Sequence, residues 1–246
     1  MADRQSRSRL PPNQQELKVG RMGRLDLDRP RRTGVPEIIL GEGKEVDHLV
    51  QLLQALHRRH IGALVSRPTR AQTRRLWDEM GRGLPLRFLA GGRVIRLAGN
   101  LGMPPLSGTV ALLTAGTADV PVAEEAAAVL EVVGVRVARA YDVGVAGLHR
   151  LVRALRTLER AAPALYLVFA GREGALPTVV AGLTRAPVVG VPTSVGYGRG
   201  GRGTGALTAM LQSCAPIAVV NIDGSVPAAL FAIHLLQASN RRRASG

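Results

Sequence analysis

The stretch ALYLVFAGREGALPTVVAGLTRAPVVGVP, residues 164–192, holds two short apolar runs separated by a segment that a helix can occupy. The runs 164–170 and 187–192 are apolar at nearly every position, which is typical of strands buried on both faces of a parallel sheet. Parallel neighbours need a crossover connection, and the segment that starts near Ala175 is long enough to supply one as a helix. The stretch therefore predicts a β-α-β unit.

The same alternation continues on both sides of this unit. Further strands are predicted at 109–114, 135–141 and 217–223. Helices are predicted to begin near Pro121, Val145, Thr204 and Val226. Because helices between parallel strands cover both faces of the sheet, we expect an α/β fold with a three-layer, doubly wound parallel sheet over residues 107–238. In such sheets the ligand lies beyond the carboxyl ends of the strands.

The residues before this domain divide into an arm and a smaller domain. Residues 1–35 are polar, basic and interrupted by Pro, so we expect a flexible arm there. Residues 36–106 are expected to form a small α/β domain, whose strands lie in EIIL and GALVSRP and whose helices cover 45–60 and 69–80. The dense Gly and Pro of 89–108 indicate the domain boundary. Residues 239–246 are expected to be a basic tail.

The chain is strongly basic, with 33 Lys and Arg against 18 Asp and Glu and a formal charge of +15. Its basic residues are concentrated near the two ends, and aromatic residues make up only 3%, so platforms for stacking bases are scarce. A dedicated nucleic-acid binder is therefore not favoured. The positive field would instead concentrate anionic, phosphate-bearing ligands.

Three classes of protein are disfavoured by composition. No run approaches the ~18 uninterrupted apolar residues of a membrane helix. The first residues have no apolar core of a secretory signal, so we expect a cytoplasmic protein. The single cysteine, Cys214, rules out an internal disulfide and a Cys-rich metal site.

Candidate functional side chains follow the predicted strands. AGTADVP places Thr117 and Asp119 after the first strand of the sheet, where Asp119 either caps the next helix or binds a hydroxyl, a proton or a metal. YDVGVAGLHRL offers Asp142, His149 and Arg150 after the second, and His149 is either a packed structural residue or a catalyst.

The later loops add further candidates. GREGALP holds Glu173 between two glycines, close to any ligand at the sheet edge. PTSVGYGRGGRGTG carries Ser194, Tyr197 and Arg199. It also contains a G-x-G-x-x-G pattern at 196–201, which follows the fourth strand and not the first, so it cradles phosphate or forms a mobile lid. Cys214, at the end of the helix before the fifth strand, is either an inert small apolar residue or a nucleophile.

At these loops the sequence resembles the LarB family, the pyridinium-3,5-biscarboxylic acid mononucleotide synthases of nickel-pincer cofactor biosynthesis, whose catalytic domain is related to the PurE carboxylases. The resemblance extends in order from Leu25 to Asp223. It rests on LDLDRPRRTGVPEIILGEGK, SRPTR, TAGTADVPVAEEA, YDVGVAGLHRL, GREGALPTVVAGL, PVVGVPTSVGYG and LTAMLQSCAPIAVVNID.

The resemblance implies carboxylation of the pyridinium ring of nicotinic acid adenine dinucleotide (NaAD) by CO2 or bicarbonate, with hydrolysis of the phosphoanhydride to release AMP. It assigns the covalent nucleophile to Cys214 and a proton-accepting role to Glu173, with Asp119 as an alternative or as a partner through Mg²⁺. It further implies a PurE-like, flavodoxin-type catalytic domain and a homo-oligomer. Substrate contacts are implied for Gly116, Thr117, Gly171, Gly174, Thr193, Ser194, Gly196 and Tyr197.

The chain departs from the family pattern at three places. Ala118 stands where the family usually has Ser, and Arg172 stands where it usually has Met. After Asp223, GSVPAAL replaces the familiar Asn-Gly-Phe-Gly run. Altered substrate contacts or altered oligomer packing are expected from these changes.

Two other functions stay open at this stage. An aminoimidazole ribonucleotide carboxylase or mutase would act on a ring that is already electron-rich, so it would need no thiol. A nucleic-acid-binding protein would depend on its basic ends and would not depend on Cys214.

Overall fold

The computed structural model describes residues 16–19 and 23–244; the rest of the expected arm and the last two residues of the expected tail lie outside this range. The described residues form two compact units. The N-terminal unit takes in the described residues up to Arg87 together with Ile95–Met103. The C-terminal unit takes in Phe88–Val94 and the described residues from Pro104 onward.

The N-terminal part of the chain forms a two-stranded hairpin, β1-β2, and a four-stranded sheet in the order β3-β4-β6-β5. Its strands are β1 (Glu16–Val19), β2 (Gly23–Asp26), β3 (Ile38–Leu40), β4 (Ala63–Ser66), β5 (Leu86–Leu89) and β6 (Val94–Leu97). Its helices are α1 (Arg29–Thr33), α2 (Val46–His57) and α3 (Arg70–Gly81). The strands and helices predicted between residues 37 and 80 are all present.

The expected flexible arm is wrong for the residues from Glu16 onward. In β1, Leu17 is buried between the exposed charged side chains of Glu16 and Lys18. The strand has only four residues, so its alternation of buried and exposed positions does not stand out within a basic segment. Among the described arginines of this segment, Arg31 and Arg32 form close ion pairs. The Arg31 guanidinium donates to both oxygens of the buried Asp28 at 2.6 and 2.7 Å, and Arg32 pairs with Asp26.

The Gly- and Pro-rich segment 89–108 contains the division between the two units at Met103 and Pro104, as predicted, but it also contains a strand. Gly91 and Gly92 lie in the short turn between β5 and β6, and β6 falls wholly inside the segment. Val94, Ile95 and Leu97 are fully buried, so this part of the segment belongs to a packed core. Gly91 and Gly92 thus belong to a turn between adjacent strands, and the rest of the segment after Leu97 leads to the division between the units.

The C-terminal unit holds a five-stranded parallel sheet in the order β11-β10-β9-β7-β8. The strands are β7 (Thr109–Thr114), β8 (Arg136–Ala140), β9 (Leu165–Ala170), β10 (Val188–Pro192) and β11 (Ile217–Val219). The helices are α4 (Val120–Val132), α5 (Leu148–Glu159), α6 (Leu176–Leu183), α7 (Thr204–Leu211) and α8 (Ser225–Ala244). This strand order is that of flavodoxin-type folds, so the predicted fold class is confirmed.

The helices cover the sheet from both sides. Side chains from α5, α6 and α7 share one core with the residues of β7 and β9 that face them, including Leu113, Tyr166 and Val168. Helices α4 and α8 pack against each other and against the sheet. The chain crosses from β7 to β8 in one direction along the sheet, and from β8 through β9 and β10 to β11 in the other. Because all these crossovers are right-handed, α4 covers one face of the sheet, and α5, α6 and α7 cover the opposite face.

Two predicted boundaries change near the end of the chain. The fifth strand ends at Val219 and not at 223, because a turn closed by the Gly224 N–H on the Asn221 carbonyl follows it. The expected basic tail from residue 239 is helical as far as Ala244, where α8 ends. No Gly or Pro interrupts the chain between 228 and 244, so nothing in the backbone stops the helix earlier.

None of the helices in the described residues is long and apolar enough to cross a membrane.

Gln72 links α3 to the loop after β3, and its amide is fully buried. Its Oε1 accepts the Thr69 N–H at 2.8 Å, and its Nε2 donates to the carbonyls of Gly41 and Lys44 at 2.8 and 2.7 Å. Gln72→Ala leaves these groups without a partner, so we expect a loss of about 2 kcal/mol in the free energy of unfolding of this region.

Urea unfolding followed by the fluorescence of Trp77, the single tryptophan, measures this effect because Trp77 lies on α3. Gln51→Ala, at an exposed position of α2, is the matched control and should change stability by less than about 0.5 kcal/mol. Equal effects of the two substitutions would contradict the bridging role of Gln72.

Candidate active site

The carboxylate of Asp119 lies buried at the carboxyl edge of the parallel sheet, in the turn between β7 and α4. Its Oδ1 accepts the hydroxyl of Thr193 at 2.5 Å, and its Oδ2 accepts the Gly116 N–H at 2.9 Å. The side chain makes no capping hydrogen bond to α4. Asp119 therefore does not cap α4 itself, although its bond to the Gly116 N–H closes the short 3-10 turn at 117–119 that precedes the helix. Its bond to Thr193 joins this loop to the loop after β10.

Burial raises the pKa of the Asp119 carboxyl above its ordinary value. The hydrogen bonds from Thr193 and Gly116 favour the carboxylate and reduce the rise, whereas the nearby charges of Asp223 and Glu173 add to it. A carboxyl group in such an environment holds a proton more readily than an exposed one. Asp119 is thus suited to accept and release a proton at this edge.

The loop after β10 begins with Thr193, which is fully buried, and is tied to the loop after β11. The Ser194 N–H donates to Oδ1 of Asp223 at 2.8 Å, and the Asp223 N–H donates to the carbonyl of Pro192 at 2.8 Å. Asp223 therefore fixes the path of the chain as it leaves β10. Sequence reasoning missed this role, because a carboxylate that binds backbone leaves no spacing pattern.

Glu173 lies on the tight turn between β9 and α6, with its side chain exposed. The turn is held by two glycines at which the chain passes close to other backbone. A Cβ on Gly171 would stand 2.1 Å from the Val195 carbonyl oxygen, and Gly174, at φ 64°, lies against the backbone of Ala206. The turn can thus hold Glu173 at the edge only with glycine at both places.

These loops surround an open cavity of about 390 Å³. Its lining comes from the loops after β7, β8 and β9, with Val195 from the loop after β10. The cavity spans the point between β7 and β9 where the strand order reverses, which is the usual ligand position in such sheets. Of the predicted site residues, the lining includes Gly116, Thr117, Asp119, Gly171, Glu173 and Gly174.

The remaining predicted residues are placed differently. Thr193 contacts the site through Asp119, while Ser194, Gly196 and Tyr197 are exposed on the loop that follows it. His149 is exposed near the start of α5, so of its alternative interpretations a residue packed in the core is wrong.

Two arginines lie at the rim of the cavity, and they differ in how their charge is balanced. Arg150 donates to Oδ2 of Asp142 at 2.7 Å, which compensates its charge. Arg172 stacks over the ring of Tyr197, with its guanidinium carbon 4.6 Å from the ring centroid. The sequence marked Arg172 only as a departure from a family pattern and did not predict its pairing with Tyr197.

Cys214 is exposed, and it is not grouped with the other candidates. It follows α7 and precedes β11, whose first residue, Ile217, pairs with Val188 at the amino end of β10. It therefore lies toward the amino side of the sheet, whereas the cavity lies at the carboxyl edge. Among the described residues that line the cavity there is no thiol.

The side chains around the cavity offer few ligands for the expected Mg²⁺. No three His, Cys, Asp or Glu side chains within the described part of the chain are grouped closely enough to hold a metal ion. Asp119 and Glu173 offer two carboxylates, and that of Asp119 already accepts two hydrogen bonds. A resident metal held by protein alone does not fit this arrangement, so Mg²⁺ stays a prediction.

Two family models match the chain. Residues 109–245 match the AIR carboxylase model, and residues 17–95 match the LarB/PurE-like N-terminal domain.

The chain is also similar to individual proteins. An uncharacterized protein of Methanocaldococcus jannaschii is 41% identical over 214 residues, covering 85% of this chain and 82% of that protein. The N5-carboxyaminoimidazole ribonucleotide mutase of Pyrococcus abyssi is 35% identical over 143 residues, which cover 56% of this chain and 76% of the mutase. The crystal structure of Treponema denticola PurE aligns with a TM-score of 0.41 at 21% identity, covering 55% of this chain and 92% of that one.

Asp119→Asn should change how stability depends on pH. Since burial raises the pKa of Asp119 in the folded chain, its protonated form contributes stability at low pH, and this contribution is lost as pH rises through the raised value. The asparagine variant keeps an uncharged side chain throughout. The stability of the variant minus that of the wild type, measured as the free energy of unfolding, should therefore be larger at about pH 8 than at about pH 4.

Chemical denaturation followed by circular dichroism at the two pH values measures this difference. Asp78→Asn, at an exposed position of α3, is the control and should show a smaller dependence. A stability difference for Asp119→Asn that is the same at both pH values would contradict the effect of burial.

Proposed function

The chain belongs to the AIR carboxylase family and carries a LarB/PurE-like N-terminal domain, and from this premise we propose that it carboxylates the pyridinium ring of NaAD. The carboxyl group would come from CO2 or bicarbonate. Hydrolysis of the phosphoanhydride would then give pyridinium-3,5-biscarboxylic acid mononucleotide and AMP. The chain would thus be a carboxylase and a hydrolase.

The observation that carries this proposal is the presence of both domains in one chain together with an exposed cysteine. The matched mutase of Pyrococcus abyssi aligns with only 56% of this chain, whereas the LarB/PurE-like N-terminal model accounts for residues 17–95. Cys214 is the only thiol in the sequence and is open to solvent. A substrate that needs a thiol nucleophile is therefore compatible with this chain.

A thiol solves the main chemical difficulty of the reaction. A pyridinium ring is electron-poor and does not attack CO2, which is itself an electrophile. When the Cys214 thiolate adds to the ring, a C–S bond forms, aromaticity is lost, and the resulting enamine is nucleophilic at the carbon that gains the carboxylate. Loss of the proton from that carbon then expels the thiolate and restores the aromatic ring.

The proton that leaves the ring carbon needs an acceptor inside the cavity. Glu173 and Asp119 both line it, and the two carboxylates also offer a favourable environment to a cationic ring. The raised pKa of Asp119 brings its proton affinity closer to that useful for general base catalysis. We assign the proton transfer to these two groups, with the Asp119–Thr193 hydrogen bond holding one of them in place.

Substrate binding is assigned to the backbone and hydroxyl groups of the same loops. Gly116, Gly171 and Gly174 allow close approach at the floor of the cavity, and Thr117 supplies a hydroxyl at its edge. The loop that starts at Thr193 and Ser194 and continues through Gly196 and Tyr197 would cover the substrate. Mg²⁺ would enter bound to the diphosphate, since this class of ion keeps substrate phosphates and water among its ligands.

The proposal requires a second copy of the chain, because Cys214 lies on the amino side of the sheet and the cavity lies on the carboxyl side. Helix α7 immediately precedes Cys214, and α6 contacts the neighbouring residue through the Thr178 hydroxyl, which donates to that of Ser213 at 2.8 Å. Neither helix contains a charged residue. Leu183 and Leu211 at their ends remain 50% and 67% exposed. Such helices are usually buried, so a homo-oligomer that covers them could bring Cys214 of one copy to the cavity of another.

A second candidate function is supported by a separate observation. The cavity of a single chain contains no thiol among its described lining, and several matched relatives are named N5-carboxyaminoimidazole ribonucleotide mutases. A mutase acting on that electron-rich ring needs no covalent nucleophile. Activity on an aminoimidazole ribonucleotide that survives Cys214→Ala would favour this alternative.

The proposed reaction is tested with NaAD, Mg²⁺ and isotopically labelled bicarbonate, followed by mass spectrometry. We expect a labelled biscarboxylated mononucleotide and AMP from the wild type, and no labelled product from Cys214→Ala. Gln212→Ala, at an exposed position two residues before Cys214, is the control and should retain activity. Asp119→Asn should lower the rate by about 100-fold, the usual contribution of a general base.

Absence of labelled product from folded wild-type protein would overturn the NaAD proposal. The same preparation is then assayed with the aminoimidazole ribonucleotide to test the mutase alternative.

Sharing of the site between copies is tested by mixing two inactive variants. Cys214→Ala and Asp119→Asn chains are dissociated, mixed in equal amounts and reassembled. If each site takes its cysteine from another copy, about a quarter of the sites in a random mixture combine an intact Cys214 with an intact Asp119, and activity returns to about that fraction. Activity no higher than that of the separate variants would show that sites are not shared.

A further inference from the structure

Arg172 is an exposed cation at the rim of the cavity, and its charge is not compensated by a carboxylate. No ion pair to Arg172 is formed by any residue in the ranges 16–19 and 23–244. Its guanidinium instead lies 4.6 Å from the centre of the Tyr197 ring. The neighbouring rim arginine, Arg150, has its charge balanced by Asp142.

The Tyr197 ring is brought to Arg172 by close contact between two backbones. Gly171 approaches the carbonyl of Val195, and a Cβ on Gly200 would stand 3.2 Å from the Arg172 carbonyl oxygen. The loop after β10 therefore rests directly on the turn after β9. The fold thus holds the backbone of Arg172 against the loop that carries Tyr197, which places the two side chains within reach of each other.

The distribution of charge around the cavity gives a direction to any ligand that is cationic at one end and anionic at the other. Asp119 and Glu173 line the cavity and favour a cationic group there, whereas Arg172 at the rim favours an anionic group. Guanidinium groups bind phosphates with paired hydrogen bonds, and stacking on an aromatic ring leaves their edge free to do so.

We propose that Arg172, held on the ring of Tyr197, binds the diphosphate of the substrate and makes this chain selective for dinucleotide over mononucleotide. This inference rests on the proposed function, since it assigns one residue to part of that substrate. Arg172 acts by direct contact with the phosphates. Tyr197 is a positioning residue, because it acts through the arginine.

Binding of ADP-ribose, which has the diphosphate but lacks the pyridinium ring, tests the inference without any need for turnover. Isothermal titration calorimetry on the full chain should show that Arg172→Met weakens ADP-ribose binding by about tenfold and leaves the weaker binding of AMP nearly unchanged. Tyr197→Leu should weaken ADP-ribose binding to a similar degree, whereas Tyr197→Phe, which keeps the ring, should bind as the wild type does. Arg185→Met, an exposed arginine before the amino end of β10, is the matched control and should have no effect.

With NaAD as substrate, Arg172→Met should raise KM by about tenfold with kcat nearly unchanged, because the contact is made equally in the ground state and the transition state. Equal ADP-ribose affinities for wild type and Arg172→Met, or no ADP-ribose binding by wild type, would overturn the inference. If carboxylation fails but the ADP-ribose pattern is observed, the NaAD reaction is wrong and the diphosphate contact stands.

Discussion

The hydrogen bond between Thr193 and the buried carboxylate of Asp119 holds the candidate site together. It joins residues that are 74 positions apart in the chain and belong to the loops after β7 and β10, with β9 between those strands. With the Gly116 N–H on its other oxygen, the carboxylate has partners for both oxygens, and burial of a charge is tolerable only under that condition. The same burial raises its pKa, so one contact fixes the geometry of the edge and sets its proton affinity.

The fold separates the polar chemistry of this chain into two places. Carboxylates and arginines gather at the carboxyl edge of the sheet, where loops of several strands meet, while Cys214 lies toward the other end beside two helices without charge. Within a single chain Cys214 stays away from the cavity, because α7 must return the chain to the amino edge of the sheet before the next parallel strand, β11, can begin. A reaction that needs both places is therefore a property of an assembly.

The sequence predicted the parallel sheet well, because strands such as 109–114 and 164–170 are apolar on both faces and stand out from their helices. It failed where the signal was short or mixed with charge, as in β1, where two buried side chains alternate with Glu16 and Lys18. Placement of Asp119 and Glu173 at one edge followed from topology. The Arg172–Tyr197 pair did not, because it depends on how two loops lie on each other, which no local pattern records.

The two edge strands of the parallel sheet determine whether it can pair with a strand of another molecule. Strand β8 forms one edge, and its Arg139 is bonded to Glu124 and Glu131 of α4 at 2.8 and 2.6 Å. The other edge, β11, is only three residues long. Charged side chains on one edge and a very short strand on the other are both known to discourage edge-to-edge pairing between molecules. Edge-to-edge pairing of this sheet with another molecule is thereby disfavoured, even though its central strands are buried at every position.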